Sequence, residues 1–320
     1  MDKVIQKITP NIFKEFARLL GTEINDGRLD IPDKYGKGYC AGYIFNENIR
    51  MLILNYELYN NIEIKNPDIN LTGNMLLFKF QNIIPVTESS SKRLQSNAMS
   101  SVLIGTSRMN TDAIIQVDKN TASINIEVDS NYLKGLFNLS EKSTVLKNLL
   151  MNKQPLLFEQ MIYSSLQKIV NEILNESADI TFKLLFLRIK AEELVYRLLM
   201  ELEKRNEKHL YSLNIIDVQN IYRVREKILE NLEIPPVIKN LAVIAKMSPS
   251  KLKRLFKQIF GNSIFNYYQE FRMIEAARLL KEEKISVSDA GYKMGFTNLS
   301  HFSRVFKEHI GMKPKQYSRS

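Results

Sequence analysis

The chain has 320 residues, of which 44% are apolar, and a formal net charge of +10 at pH 7. This length predicts two domains with cores of their own, and no long uncharged apolar run predicts a membrane span. The single cysteine, Cys40, excludes an intramolecular disulfide framework and fits a reducing compartment. The first residues lack the apolar region and cleavage site of a signal peptide, so we expect a cytoplasmic protein.

Residues 1–154 are predicted to form a strand-rich domain. Helical spacing marks residues 12–20, and Gly21 would end that helix. Runs of β-forming residues follow, separated by Asn, Gly, Pro and Asp at intervals typical of an antiparallel sandwich or small barrel. These runs are residues 49–58, 74–80, 101–105, 113–117 and 122–128, and a solvated loop is predicted at residues 88–93.

The composition of the strand-rich half argues against metal or thiol chemistry. The three histidines of the chain, His209, His301 and His309, all lie outside the predicted strands. A metal-dependent enzyme on a small barrel would need several of them, usually with a carboxylate. Cys40 cannot build a four-cysteine zinc site alone and is predicted to be a strand residue. There is also no nucleophile elbow or phosphate-binding glycine loop. The sequence therefore predicts no catalytic residues, no metal, no cofactor and no enzymatic activity.

Residues 155–214 are predicted to be a helical segment of two helices and a linker. The apolar stripe of the first helix comprises Phe158, Ile162, Leu166, Ile169 and Ile173, and that of the second comprises Leu185, Ile189, Leu194, Leu198, Leu199 and Leu202. Residues 175–179 would separate the helices, and residues 203–214 would form the linker. Two interpretations stay open: both stripes pack on their own domain, or one of them pairs with a second subunit.

Residues 215–320 are predicted to form an all-α domain built on a pattern that occurs twice. Residues 252–261 and 302–311 share the pattern apolar-x-Arg-apolar-Phe-Lys-x-x-apolar-Gly. In each copy the apolar residues share one helical face, Arg and Lys share the other, and the glycine suits a helix end. A short helix and a turn precede each copy, which is the helix-turn-helix arrangement. The alternative, that each pair is only a packed helical hairpin, is disfavoured by the matched Arg and Lys.

Local sequence also predicts how these helices begin and how they are joined. Ser248 and Pro249 suit the start of the first, whereas Gly295 would turn the chain before Thr297 or Asn298 caps the second. Residues 263–280 contain no Pro or Gly and predict a connecting helix of roughly 25–30 Å. Such a helix would hold two recognition helices in successive major grooves, which lie about 34 Å apart.

The charge of the chain is confined to the segment with the paired pattern. Residues 221–320 contain 19 Lys and Arg but only nine Asp and Glu, so the whole positive excess lies there. A basic domain beside a neutral one is the electrostatic footprint of nucleic-acid binding by one half of a protein.

Residues 224–320 resemble the DNA-binding domain of the arabinose-regulator (AraC/XylS) type of bacterial transcription factor, most strongly over residues 295–307 and 311–314. Ala290 and Gly291 stand where that family usually has a larger aliphatic residue and an alanine, and we expect them to loosen the packing of their helix. The resemblance implies an α+β protein with a cupin-like barrel in residues 1–154, a small-molecule effector and a homodimer. The layout of residues 155–214 is similar to regulators of siderophore uptake.

The same resemblance predicts which residues contact DNA. One recognition helix would present Ser250, Lys251, Lys253, Arg254 and Lys257, and the other Leu299, Ser300, His301, Ser303, Arg304 and Lys307. By the family's pattern, the positions that approach bases are Ser250, Lys253, Arg254, Ser300, Ser303 and Arg304. Lys257 and Lys307, one turn further on, are expected to meet phosphate, and Ser300 has the alternative role of a helix cap.

The sequence thus predicts a bacterial transcription regulator. Its expected partners are double-stranded DNA in two adjacent major grooves, an effector and a second copy of the chain, with RNA polymerase as a further candidate. The alternative is a DNA-binding scaffold whose N-terminal half only oligomerises.

Overall fold

The structure, a computed structural model, describes residues 11–60, 62–64, 74–83, 100–107, 109, 115–117, 120–137, 143–176 and 180–319. The loop predicted at residues 88–93 lies outside these residues. The chain divides into two compact units, Met1–Asn214 and Ile215–Ser320, which are called the N-terminal unit and the C-terminal unit below.

The N-terminal unit is built on an antiparallel sheet. Its described elements are α1 (Asn11–Leu20), β1 (Arg28–Asp30), β2 (Gly36–Ile44), β3 (Ile49–Leu58), β4 (Ile62–Ile64), β5 (Met75–Gln81), β6 (Ser101–Gly105), β7 (Ile115–Val117), β8 (Asn120–Asp129), α2 (Ser130–Leu136), α3 (Thr144–Met151), β9 (Leu157–Met161), α4 (Ser164–Leu174) and α5 (Ile180–Glu203). Seven strands form one sheet in the order β1-β2-β3-β8-β5-β6-β9, and β4 pairs with β7. The predicted strand-rich fold is confirmed; the closure into a cupin-like barrel stays a prediction.

Alternation along the strands gives this sheet an apolar face that packs against helices. Ile53 pairs with Ile124, and Phe78 with Ile126, so buried side chains line up across neighbouring strands. They form one core with the apolar faces of α3, α4 and α5. A second cluster joins α1 to the β1–β3 end of the sheet and contains Cys40, which lies in β2 as predicted. Burial raises the pKa of the Cys40 thiol and keeps it protonated, so it is not a nucleophile at neutral pH.

Two predictions for residues 155–214 are wrong in detail. Phe158 does not begin a helix but lies on β9, where it pairs with Ile104 of β6. The apolar stripe predicted for α5 spans two faces of that helix. Leu194, Leu198, Leu199 and Leu202 are buried in the core, whereas Leu185 and Ile189 are 57% and 52% exposed. The stripe of α4, by contrast, packs on its own unit through Leu166, Ile169 and Ile173.

The C-terminal unit is helical in all its described elements, as the sequence predicts. These are α6 (Ile215–Glu230), α7 (Ile238–Ile244), α8 (Pro249–Phe260), α9 (Ile264–Lys281), α10 (Val287–Lys293), α11 (Leu299–Ile310) and α12 (Pro314–Tyr317).

Candidate nucleic-acid interface

The pair α7 and α8 forms the first helix-turn-helix. The Ser248 hydroxyl accepts a hydrogen bond from the backbone N–H of Lys251 at 3.3 Å, and Pro249 occupies the first helical position of α8. The inner face of α8 is buried, and Phe256 and Phe260 meet the Tyr267 ring of α9 with centroids 5.3 and 5.0 Å away. This packing fixes which face of α8 remains outside.

The pair α10 and α11 forms the second helix-turn-helix in the same way. The Asn298 side chain accepts a hydrogen bond from the backbone N–H of His301 at 3.0 Å, so Asn298 caps α11. Ser300 therefore does not serve as the cap and is exposed. The turn before α11 depends on Gly295, which has φ +71°; a Cβ on this residue would stand 2.2 Å from the Glu233 carbonyl oxygen. Only glycine fits both constraints.

The helix α9 joins the first helix-turn-helix pair to the second. Its 18 residues correspond to about 27 Å, which matches the predicted connector. Ser263 caps its start by accepting from the backbone N–H of Asn266 at 3.2 Å. One uninterrupted helix therefore separates the two helix-turn-helix pairs.

A buried arginine on α9 holds the second helix-turn-helix in place. Arg272 is 4% exposed, donates to the carbonyl oxygen of Met294 and to Gln269 Oε1, the latter at 2.6 Å, and stacks on the Phe296 ring at 4.1 Å. Burial lowers the pKa of its guanidinium. No sequence motif assigns a role to this residue. The available signal was its spacing of four residues from the buried Tyr268, which puts an arginine on the inner face of the helix.

The expectation that Ala290 and Gly291 loosen the packing of α10 is wrong. Ala290 is fully buried. A Cβ on Gly291 would stand 2.8 Å from Leu299 Cδ2 and 3.1 Å from Phe302 Cδ1, so these side chains already fill the space beside the glycine. The small residues let α11 approach α10 closely instead of leaving a gap.

The predicted DNA-contacting residues divide by exposure. Ser250, Lys253, Arg254 and Lys257 are exposed on α8, and Ser300, His301, Arg304 and Lys307 are exposed on α11. Lys251, Leu299 and Ser303 are half-buried. Leu299 faces Gly291, and Lys251 donates from Nζ to Asp217 Oδ1 of α6 at 2.8 Å. The fold thus puts most predicted residues on two outward faces and turns Lys251 and Leu299 partly inward; their DNA contacts stay a prediction.

Among the residues that the structure describes, no group of three or more His, Cys, Asp and Glu side chains is placed to hold a metal ion. None of the described helices is long and apolar enough to cross a membrane.

Comparisons with known proteins agree with the geometry of the C-terminal unit. The family described as "Helix-turn-helix domain" matches residues 241–320. The regulator GbdR of Pseudomonas aeruginosa is 33% identical over 108 residues, which are 34% of this chain and 29% of GbdR. The arabinose operon regulatory protein of Escherichia coli is 34% identical over 71 residues, 22% of this chain and 24% of that protein.

A solved structure is also similar to part of the chain. It is a transcriptional regulator with an AraC-type DNA-binding domain from Chromobacterium violaceum, which is 27% identical to this chain. The match covers 33% of this chain and 95% of the regulator, with a TM-score of 0.31. The chain thus spans less than a third of the length of the curated relatives named above. The predicted resemblance is confirmed for the C-terminal unit: residues 241–320 match a helix-turn-helix domain family, and the chain is similar to the arabinose operon regulatory protein.

Proposed function

We propose that the chain is a sequence-specific DNA-binding transcription regulator whose N-terminal unit senses a small molecule and dimerises. One observation carries the DNA-binding part: α8 and α11 each expose an arginine and, one turn later, a lysine, at matching positions on two helix-turn-helix pairs. The single helix α9 joins the pairs, and the positive charge of the chain lies in the same unit. A repeated basic face on a fixed spacer suits two successive major grooves of one duplex.

The matched side chains are assigned different roles. Arg254 and Arg304 can each make a bidentate contact with guanine, which discriminates against other bases by about 1–3 kcal/mol. Lys257 and Lys307 lie three residues further along their helices and are assigned to phosphate, which positions the protein without reading sequence.

This assignment predicts that the arginine variants and the lysine variants affect DNA binding differently. Arg254→Ala or Arg304→Ala should weaken binding to a selected site more than binding to a scrambled duplex. Lys257→Ala or Lys307→Ala should weaken both about equally and reduce the slope of log K against log salt by about one. Fluorescence anisotropy with both duplexes over a salt series measures this. Equal behaviour of the Arg and Lys variants on both duplexes would show the roles to be wrongly assigned.

The dimer is proposed to form through the outer face of α5. This face exposes five apolar side chains at the spacing of a helix that packs along another helix, namely Phe182 (63% exposed), Leu185 (57%), Ile189 (52%), Tyr196 (53%) and Met200 (45%). Lysines and arginines are concentrated in the first half of α5 and glutamates in the second. An antiparallel second copy, related by a two-fold axis perpendicular to α5, would therefore meet opposite charge at both ends.

A charge placed in the middle of this face tests the dimer. Ile189→Arg should convert the full chain from dimer to monomer in analytical ultracentrifugation, because the guanidinium would be buried without a partner. Leu184→Arg is the matched control, because Leu184 is also exposed (39%) on this helix but lies about 140° around it from Ile189, outside the apolar face. If Ile189→Arg sediments like the wild type, the interface lies elsewhere.

The sensing role is supported by the family resemblance and by the neutral charge of residues 1–220. An effector can alter DNA affinity only through its different affinities for two states of the protein. Thermal-shift screening of the full chain against siderophores, sugars, aromatic acids and fatty acids would find candidates. A compound that raises the Tm and also changes DNA affinity supports the sensor. If no compound stabilises the chain and the chain still forms a dimer, the result favours the alternative function. In that case the protein is a DNA-binding scaffold whose N-terminal half only oligomerises.

A further inference from the structure

The helix α6 sets an acidic side chain against the first recognition helix. Asp217 Oδ1 lies 2.8 Å from Lys251 Nζ, although the two residues are 34 positions apart. Asp217 stands in the first turn of α6, and Lys251 in the first turn of α8. The side chain of Asp217 is 14% exposed and that of Lys251 is 39% exposed. The mostly buried carboxylate of Asp217 therefore pairs with a lysine whose side chain remains accessible to solvent.

Lys251 occupies the flank of α8 and not the centre of its outward face. Its neighbours along the helix are the exposed Ser250 and the buried Leu252, and it is itself half-buried. Lysine side chains beside a DNA duplex can contact its phosphates, which position the protein without reading sequence. A phosphate beside α8 would need the same ammonium group that Asp217 holds, and the carboxylate would repel it.

We propose that Asp217 restrains DNA binding by competing with a backbone phosphate for Lys251. This inference rests on the proposed DNA-binding function and adds an element of control to it. In the paired state, α8 presents one cation fewer to the duplex; in the released state, Lys251 makes a phosphate contact and displaces a counterion. The restraint lies outside both helix-turn-helix pairs, on α6.

The position of α6 makes this restraint suitable for regulation. Ile215 is both the first residue of α6 and the first residue of the C-terminal unit. Asp217 therefore lies two residues after the junction between the two units. A ligand or partner that favours the released state would tighten DNA binding without touching DNA.

The test uses the full chain and compares two matched acid-to-amide variants. Asp217 and Asp289 both stand at the third position of their helices, α6 and α10, and each variant removes one negative charge from the C-terminal unit. Asp289 accepts from the Ser286 hydroxyl at 2.6 Å and serves only as the control for overall charge. Binding to a scrambled 40-base-pair duplex is measured by fluorescence anisotropy over a salt series, together with the Tm of each variant.

The competition predicts a specific pattern. Asp217→Asn should bind the duplex about three- to fivefold more tightly at 0.1 M salt, the factor expected for losing one partly exposed ion pair. Its slope of log K against log salt should be steeper by about one, as for one added phosphate contact. Asp289→Asn should change the affinity less than twofold. With Lys251→Ala also present, Asp217→Asn should have no more effect than Asp289→Asn.

Other outcomes contradict the inference. Unchanged or weaker binding by Asp217→Asn, with a lower Tm, would show that the pair only clamps α8 to α6. The same gain in the Lys251→Ala background would show that Asp217 acts through its charge alone. If the wild type binds the duplex and Asp217→Asn does not tighten it, only this inference fails; if the wild type binds neither this duplex nor a selected site, the proposed function fails with it.

Discussion

Replacing Arg272 by methionine removes the guanidinium that joins α9 to the turn of the second helix-turn-helix and keeps a side chain of similar length. The variant loses the bond to the carbonyl oxygen of Met294, which follows the last turn of α10. It also loses the contacts with the Phe296 ring at 4.1 Å and the Tyr268 ring at 5.0 Å. The Met294 carbonyl oxygen is left without this donor in a buried place.

The size of the effect follows from these contacts. A hydrogen bond from a charged donor contributes about 1.5–3 kcal/mol, and a desolvated cation–π contact about 2 kcal/mol. The cost of burying the guanidinium, which also lowers its pKa, offsets part of this sum. We expect Arg272→Met to destabilise the C-terminal unit by about 2–4 kcal/mol. For a unit of about 100 residues, this lowers the Tm by roughly 10–25 °C.

Differential scanning calorimetry of the full chain measures this change. The transition of the C-terminal unit is the one that rises when DNA is added. Arg278→Met is the control, because it removes an arginine from the same helix whose partners are the surface carboxylates Glu275, Glu282 and Glu283. Surface pairs of this kind contribute about 1 kcal/mol or less. Equal Tm losses in Arg272→Met and Arg278→Met would refute the structural role of Arg272.

Three further predictions concern the turn before α11, the half-buried acid Glu270 and the metal content. Gly295→Ala should lower the Tm of the C-terminal unit much more than Gly311→Ala does. Both glycines have a positive φ, but only the alanine at residue 295 would press its Cβ against backbone, namely the Glu233 carbonyl. Equal losses of Tm in the two variants would show that this close contact does not matter. Burial raises the pKa of Glu270 despite the opposing His309 charge, so the native state binds its proton more tightly than the unfolded state. The contribution of protonated Glu270 to the free energy of unfolding is fully present below about pH 4.3, the pKa of an unfolded glutamate. It is lost as the pH rises through the raised pKa of the native state. The Tm advantage of Glu270→Gln over the wild type should therefore grow between pH 4 and pH 7, and a constant difference would contradict this. Elemental analysis should find no stoichiometric zinc or iron, and DNA binding should survive a chelator, because the chain has three histidines and one cysteine; one tightly held metal per chain would contradict this.

The sequence alone was enough to locate the two helix-turn-helix pairs. Their signals are local: the apolar face of a helix repeats every three or four residues, and its caps stand at its ends. Ser248 and Pro249 mark the start of α8, and Gly261 its end, as the structure confirms. The uneven charge is likewise a property of composition and needs no coordinates.

What the sequence left open depends on which distant segments meet. Phe158 has a spacing that fits a helix, yet it lies on β9 because β6 offers a free edge for pairing. In α5, apolar residues surround much of the helix, and only the sheet and α4 decide that Leu194 is buried and Ile189 exposed.

The contacts that position the recognition helices are also long-range. Asp217 pairs with Lys251, and Arg272 donates to the carbonyl oxygen of Met294 in the turn before α11. The separation of these residues along the chain follows no helical or strand periodicity, so the sequence does not predict their contacts. Helical periodicity reports which face of a helix is apolar, because that is set within a few residues. Which partner covers that face, and which charge meets which, is set by the packing of whole elements, and only the tertiary structure decides it.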